Sequence, residues 1–283
     1  HSHTATVLPD GRVLIAGGYG TGNTVLSAAE VFDPATNTFA ATGAMRAARA
    51  GHVAVPLPDG RVLLAGGVGP DWTFLASAEL YDPRTGRFTT TGAMTTARES
   101  HMAVPLRDGR VLVVGGHQGR RAAIELFASA ELYDAATGTW RRTGDMRVRR
   151  HKHDAARLAD GRVLVLGGSD ERDDQGAYSS TELWDPRTGR FTDGPAMQLA
   201  RYKHALSTVA LPNGRLLVSG GAPQAEVYEP ASNRFVLVEG ASRMGGQFSA
   251  SAALPGGRVL VTGGYGNGAG PRAAAWEYHP VGG

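Results

Sequence analysis

Asp108-Gly-Arg-Val-Leu-Val-Val-Gly-Gly116 decides how this chain is read, because the phrase comes round six times. Its closing glycine falls at 18, 67, 116, 168, 221 and 264, at intervals of 49, 49, 52, 53 and 43 residues. Four short apolar runs lie within each interval, and no helical period occurs anywhere. A repeat of that size and pattern predicts the blades of a β-propeller. One blade cannot bury both faces of its sheet alone, so repeats must stack to make a core.

The unit from Met45 to Ala93 shows the grammar. Met45-Arg-Ala-Ala-Arg49-Ala-Gly-His52 leads into a first strand over 53–57, and Pro58-Asp-Gly60 turns the chain into a tight hairpin. The second strand, Arg61-Val-Leu-Leu-Ala65, is nearly all apolar, as expected of a strand covered on both faces. Gly66-Gly67 ends it where the close approach of a neighbouring backbone leaves no room for a side chain. A variable loop with Asp71 and Trp72 follows. Then come Ala78-Glu79-Leu-Tyr81, the turn Asp82-Pro-Arg-Thr-Gly86 and a fourth strand from Arg87.

Met-x3-Arg-x2-His, Asp-Gly-Arg-Val-Leu-x-x-Gly-Gly and Glu-Leu-Tyr-Asp-Pro-x-Thr-Gly-x-Phe together resemble the kelch repeat, in the form found in bacterial and galactose-oxidase-like propellers. The resemblance implies one all-β domain over residues 1–283, a six-bladed kelch β-propeller of four-stranded antiparallel blades. The last unit reaches only Ala275-Trp-Glu-Tyr278, so its blade is expected to be incomplete within this chain. Kelch propellers include oxidases, sugar mutarotases, specifier proteins and protein-binding scaffolds, so the fold leaves function open. Copper-radical oxidase chemistry, which needs a tyrosine cross-linked to cysteine, is excluded because the chain has no cysteine. The Glu-x3-Asp-x3-His spacing of the specifier iron site is also absent.

Propeller geometry puts the joints between blades and the long loops on one face, with the first strands lining the channel. Arg49, Arg98, Arg150, Arg201 and Arg243 are therefore expected to ring the channel mouth, where forked guanidinium groups suit an anion. Tyr19, Trp72, His117, Asp170 and Tyr265 should rise around them, with Phe127 as a further aromatic anchor for a partner. The repeated histidines, His3, His52, His101, His153 and His204, are expected to satisfy hydrogen bonds within or between blades rather than bind metal. The repeated glutamates, from Glu30 to Glu277, are expected to pair with Arg12, Arg61, Arg110, Arg162, Arg215 and Arg258. The singular loop Ser169-Asp-Glu-Arg-Asp-Asp174 reads as a solvated acidic segment facing Arg149 and Arg150. The alternative joins its Asp170, Glu171, Asp173 and Asp174 to His151, His153 and Asp154 as a divalent metal site, or as an acid/base pair with Lys152 or Tyr178.

The 283 residues carry 42% apolar side chains, a formal charge of +3 and no cysteine, so disulfides, thiolate zinc sites and cysteine nucleophiles are excluded. Lys152 and Lys203 are its two lysines among 29 basic residues. The basic run from Arg141 to His153 lacks a stacking ladder, so no nucleic acid partner is expected. No run is long enough to cross a bilayer as a helix. The chain starts at His1 and reads as a trimmed fragment of a secreted or cytoplasmic bacterial protein, expected to be monomeric. The first functional expectation is recognition of a small anionic or carbohydrate ligand, or a protein loop, at the channel mouth, without a cofactor. One alternative is a cofactor-independent isomerase, lyase or cyclase, with Arg98, Arg150 and Arg201 holding an anionic substrate. His153 or His101 would then move a proton, and Tyr178 or Asp170 would assist. The other is a protein-interaction scaffold on the same rim.

Overall fold

The structure, a computed structural model, describes residues 1–240, 246–265 and 270–280. The chain is all-β, with the architecture of a six-bladed kelch β-propeller. It divides into two compact units, His1–Thr143 and Gly144–Gly283, of three blades each. In the first unit the blades are meanders of four antiparallel strands. The second blade, for example, runs through Val53–Pro56, Val62–Ala65, Ala78–Asp82 and Arg87–Thr91. The second unit has two such blades and a final sheet of three strands, Ala250–Ala253, Val259–Thr262 and Ala275–Tyr278. Among the described residues the last blade thus has three strands, in line with the expectation of an incomplete one.

The second strand of each blade forms its core. Val62–Ala65, Val111–Val114 and Val163–Leu166 are buried at every residue, because packed blades cover both faces of the sheet. Apolar clusters span neighbouring blades within each unit. Leu14, Leu64 and Tyr81 join the first two blades, and Leu164, Leu216 and Tyr228 join the fourth and fifth. Polar clips reinforce these seams: the Tyr81 and Tyr133 hydroxyls lie 2.9 and 2.8 Å from Oγ1 of Thr42 and Thr91 in the preceding blade's outer strand or the joint after it.

The glycine doublet follows from two constraints at once. Gly66 and Gly67 have φ of +69° and +90°, a region unfavourable to side chains. A Cβ on Gly67 would lie 2.6 Å from the Ala50 carbonyl oxygen, and one on Gly66 would lie 2.6 Å from His101 Cε1 in the next blade. The doublet is where the next blade and the joint press against the strand end.

Candidate functional site: the loop faces of the two units

Each repeat arginine is consumed inside its own blade. Arg49, Arg98, Arg150 and Arg201 have no exposed surface. Nη1 of Arg49 donates to the carbonyls of Gly66 and Ser77 at 2.9 and 3.0 Å, and Nη2 donates to Glu79 at 2.9 Å. The Glu79 carboxylate also accepts the backbone N–H groups of Arg46 and Ala47. Arg98 with Glu131, Arg150 with Glu182 and Arg201 with Glu226 repeat the arrangement at 3.0, 3.2 and 3.0 Å. A guanidinium fork thus pins the joint to the glycine-ended strand and to the third strand's glutamate. The expected ring of anion-binding arginines is not what these four side chains make. Arg243 lies outside the described residues.

The glutamate partners also differ from expectation. Arg12, Arg61, Arg110 and Arg162 turn back to the aspartates two residues earlier, Asp10, Asp59, Asp108 and Asp160, at 2.6 to 2.7 Å. An Asp-Gly-Arg turn brings these groups together locally, whereas Glu79, Glu131 and Glu182 are buried in the blade. Arg215 pairs with Glu229 rather than Glu226. Only the sixth unit follows the expected pairing among the described residues, Arg258 with Glu277 at 2.7 Å.

His52, His101, His153 and His204 are buried at the seams, whereas His3 is exposed. His52 Nε2 is 3.0 Å from Thr4 Oγ1 in the preceding blade, and His204 Nε2 is 3.1 Å from the Leu166 carbonyl in the fourth. Burial, with the charge of the neighbouring Arg49 or Arg201, lowers both from the usual 6.5 to about 3. His101, also buried, is held well below 6.5 by burial and Arg98. His153 is fully buried. Asp170 is engaged by Arg172 at 2.6 Å, and the Tyr178 ring lies 5.4 Å from the Arg150 guanidinium. His101 and His153 are thus enclosed, and Asp170 is held by its own loop's arginine. Arg149 reaches Glu171 at 3.4 Å, whereas Arg150 does not face the acidic loop. Among the described residues no three His, Asp or Glu side chains are grouped to hold a metal.

Two further rim expectations change. His117 is buried, 3.3 Å from Glu99, with its ring edge-on to Phe74. Phe127 is buried under the Arg98 guanidinium at 5.4 Å, so it is not an exposed anchor.

What does stand exposed on the first unit is a row across three blades. The loops after Gly18, Gly67 and Gly116 are narrow ribbons, each closed by a 3-10 turn at Thr21–Asn23, Pro70–Trp72 or Arg121–Ala123. The Tyr19 and Trp72 rings are 6.3 Å apart, and the Arg120 guanidinium stacks 3.3 Å from the Trp72 ring centre. A cleft of about 630 Å³ runs beside them, lined by Tyr19, Asn23, Val25, Pro70, Asp71 and Trp72. Asp71 and Trp72 have φ of +54° and +60°, conformations that cost a non-glycine residue about 1–2 kcal/mol. Trp72 is 48% exposed. A strained backbone that presents an exposed tryptophan is typical of a binding loop.

On the second unit, Asp154, a metal or acid/base candidate from the sequence, opens the first strand of the fourth blade. It is fully desolvated and accepts the N–H groups of Leu206, Ser207 and Thr208 at 3.1, 3.0 and 2.8 Å. Burial pushes its carboxyl up to about 6 against those hydrogen bonds. Its role is to tie the fourth blade's first strand to the start of the fifth's.

The kelch motif matches residues 1–46 and 100–147. An F-box/kelch-repeat protein of Arabidopsis thaliana is 46% identical over 75 residues, 25% of this chain and 26% of that protein. The chain thus spans about a quarter of the length of that curated relative. No helix among the described residues is long and apolar enough to cross a membrane. The two motif matches and this relative, with six sheets of the same repeat pattern, support a kelch-repeat family for the chain.

Proposed function

We propose that this protein is a recognition module that receives a segment of a partner protein on the loop face of its first three blades. The carrying observation is the Tyr19–Trp72–Arg120 row beside the 630 Å³ cleft. Tryptophan, tyrosine and arginine are the side chains that concentrate binding energy at protein interfaces. The 3-10 turns hold them in fixed positions, so little ordering is needed on association. Kelch repeats commonly mediate protein interactions, which agrees with this reading. The arginines that an anionic substrate would need are locked to Glu79, Glu131, Glu182 and Glu226, which argues against the channel-mouth enzyme.

The test is a quantitative capture experiment with cross-linking. Partners retained by the wild type should be lost with Trp72→Ala and Tyr19→Ala, and kept with Phe39→Ala, an exposed aromatic on an outer strand. Retention that is equal in all four proteins would refute the loop face as the docking surface.

A further inference from the structure

The two lysines of this arginine-rich chain occupy one structural position. Ser2, Gly51, Ser100, Lys152, Lys203 and Phe248 all precede the first strand of their blades, and all have φ between +53° and +61°. In the second unit these residues are strung together by backbone hydrogen bonds. The Lys203 N–H donates to the Lys152 carbonyl at 2.8 Å, and the Phe248 N–H donates to the Lys203 carbonyl at 2.7 Å. The left-handed conformation therefore presents three consecutive side chains, two lysines and a phenylalanine, from one edge of the three blades.

Their surroundings differ in a way that matters. Lys152 is held by Asp173 at 2.5 Å, and the same carboxylate is 3.4 Å from His151. Lys203 has no carboxylate within salt-bridge distance among the described residues. Its ammonium instead lies 4.9 Å from the Tyr202 ring and 5.7 Å from the Phe248 ring. Burial first, and then the neighbouring Lys152, lower its pKa, while Asp173 and Asp174 act in the opposite direction. Beside it, Phe248 and Tyr265 meet edge to face at 6.1 Å, and both are about half exposed, at 57% and 47%. A partly buried cation with no carboxylate bonded to it, next to an open aromatic wall, is matched by an anion with a flat face.

We infer that Lys203, with Phe248 and Tyr265, forms a subsite for a carboxylate borne on a ring. The ammonium takes the carboxylate, and the ring lies on the aromatic wall. Lys152, fixed by Asp173, adds a second positive charge at longer range. Arginine at 203 would present a broad fork, whereas lysine offers a compact point charge that fits between two rings. The subsite is independent of the protein-docking row, since it uses different blades and different side chains.

Isothermal titration of the whole chain with glucuronate and benzoate, and with glucose and acetate as controls, tests this. Glucuronate, benzoate or both should bind at least tenfold more tightly than acetate or glucose. Whichever acid binds more tightly separates a sugar acid from an aromatic acid. Lys203→Met, nearly isosteric, should weaken that binding at least tenfold, Phe248→Ala should weaken it less, and Trp72→Ala should leave it unchanged. Ring acids binding no better than acetate and glucose, or Lys203→Met binding as well as the wild type, would overturn the subsite. A thermal melt of each variant identifies any that is simply unfolded. For Lys203→Met, Lys203→Arg would then replace it, and unchanged affinity for both acetate and the ring acid in that variant would equally refute the role.

Discussion

At the scale of single residues, charge inside the blades explains most of the repeated positions. Arg150 is fully buried, with its guanidinium on the Gly167 and Ser180 carbonyls and on Glu182. Removing one partner of such a pair strands the other charge in a dry interior, a loss of about 3–5 kcal/mol. Arg150→Ala is therefore expected to lower the melting temperature sharply rather than to act on binding alone. Thermal unfolding decides this: an unchanged melt would mean that the pair contributes nothing to the blade. The histidines add a pH dependence whose sign follows from burial. His52 and His204 fall from 6.5 to about 3 in the folded protein, so the unfolded chain binds their protons first. Their contribution is complete above pH 6.5 and is lost as pH falls towards 3, by about 1.4 kcal/mol per pH unit for each. Asp154 runs the other way, gaining stability as pH falls through about 6 towards its unfolded value near 3.8, and offsets one histidine. Stability should fall on acidification from pH 6.5 to 4.5. Melts across that range check the slope, and a flat profile would contradict the buried neutral histidines.

At the scale of the element, the glycine doublet separates two costs that usually come together. Gly67 and Gly161 have nearly the same φ, +90° and +93°, so alanine meets the same backbone strain at both. At Gly161 a Cβ would meet nothing within 4 Å, whereas at Gly67 it would strike the Ala50 carbonyl and His52 Cβ. The difference between Gly67→Ala and Gly161→Ala then isolates the overpacking, expected at about 1–3 kcal/mol in chemical denaturation. Equal losses would mean that the blades yield without cost. This doublet was legible in the sequence because Asp-Gly-Arg-Val-Leu-x-x-Gly-Gly carries its own reason: a hairpin, a buried strand and a crowded end. The partners of the arginines were not legible. A guanidinium on a long side chain reaches several residues, and spacing does not say whether Arg49 or Arg61 meets Glu79. The Asx turn that captures Arg61 on Asp59 settles the choice locally. Nor could the sequence show that His117 and Phe127 fold inward while Trp72 stays out, since all three lie in loops of similar composition.

At the scale of the whole molecule, repetition and departure from it divide the work. What the second to fifth blades share, the Arg–Glu fork, the seam histidine and the doublet, is structural, and the fork and histidine are buried. What single blades add, Tyr19, Trp72 and Arg120 in the first unit and Lys152, Lys203 and Phe248 in the second, is exposed or only partly covered and free of repeat constraints. Trp72 allows that division to be tested, because its loop works against its own backbone. At φ +60° a tryptophan is strained by about 1–2 kcal/mol, a penalty that glycine does not meet. Its ring is 48% exposed and stacks on Arg120, so the packing lost on removal is modest. Trp72→Gly should therefore melt at or above the wild-type temperature while losing the partner that the loop face retains. Trp72→Ala keeps the strain and should melt below Trp72→Gly, with the same loss of binding. If Trp72→Gly were the less stable of the two, the ring would be holding the fold together, and the strained turn would have a structural rather than a recognition role.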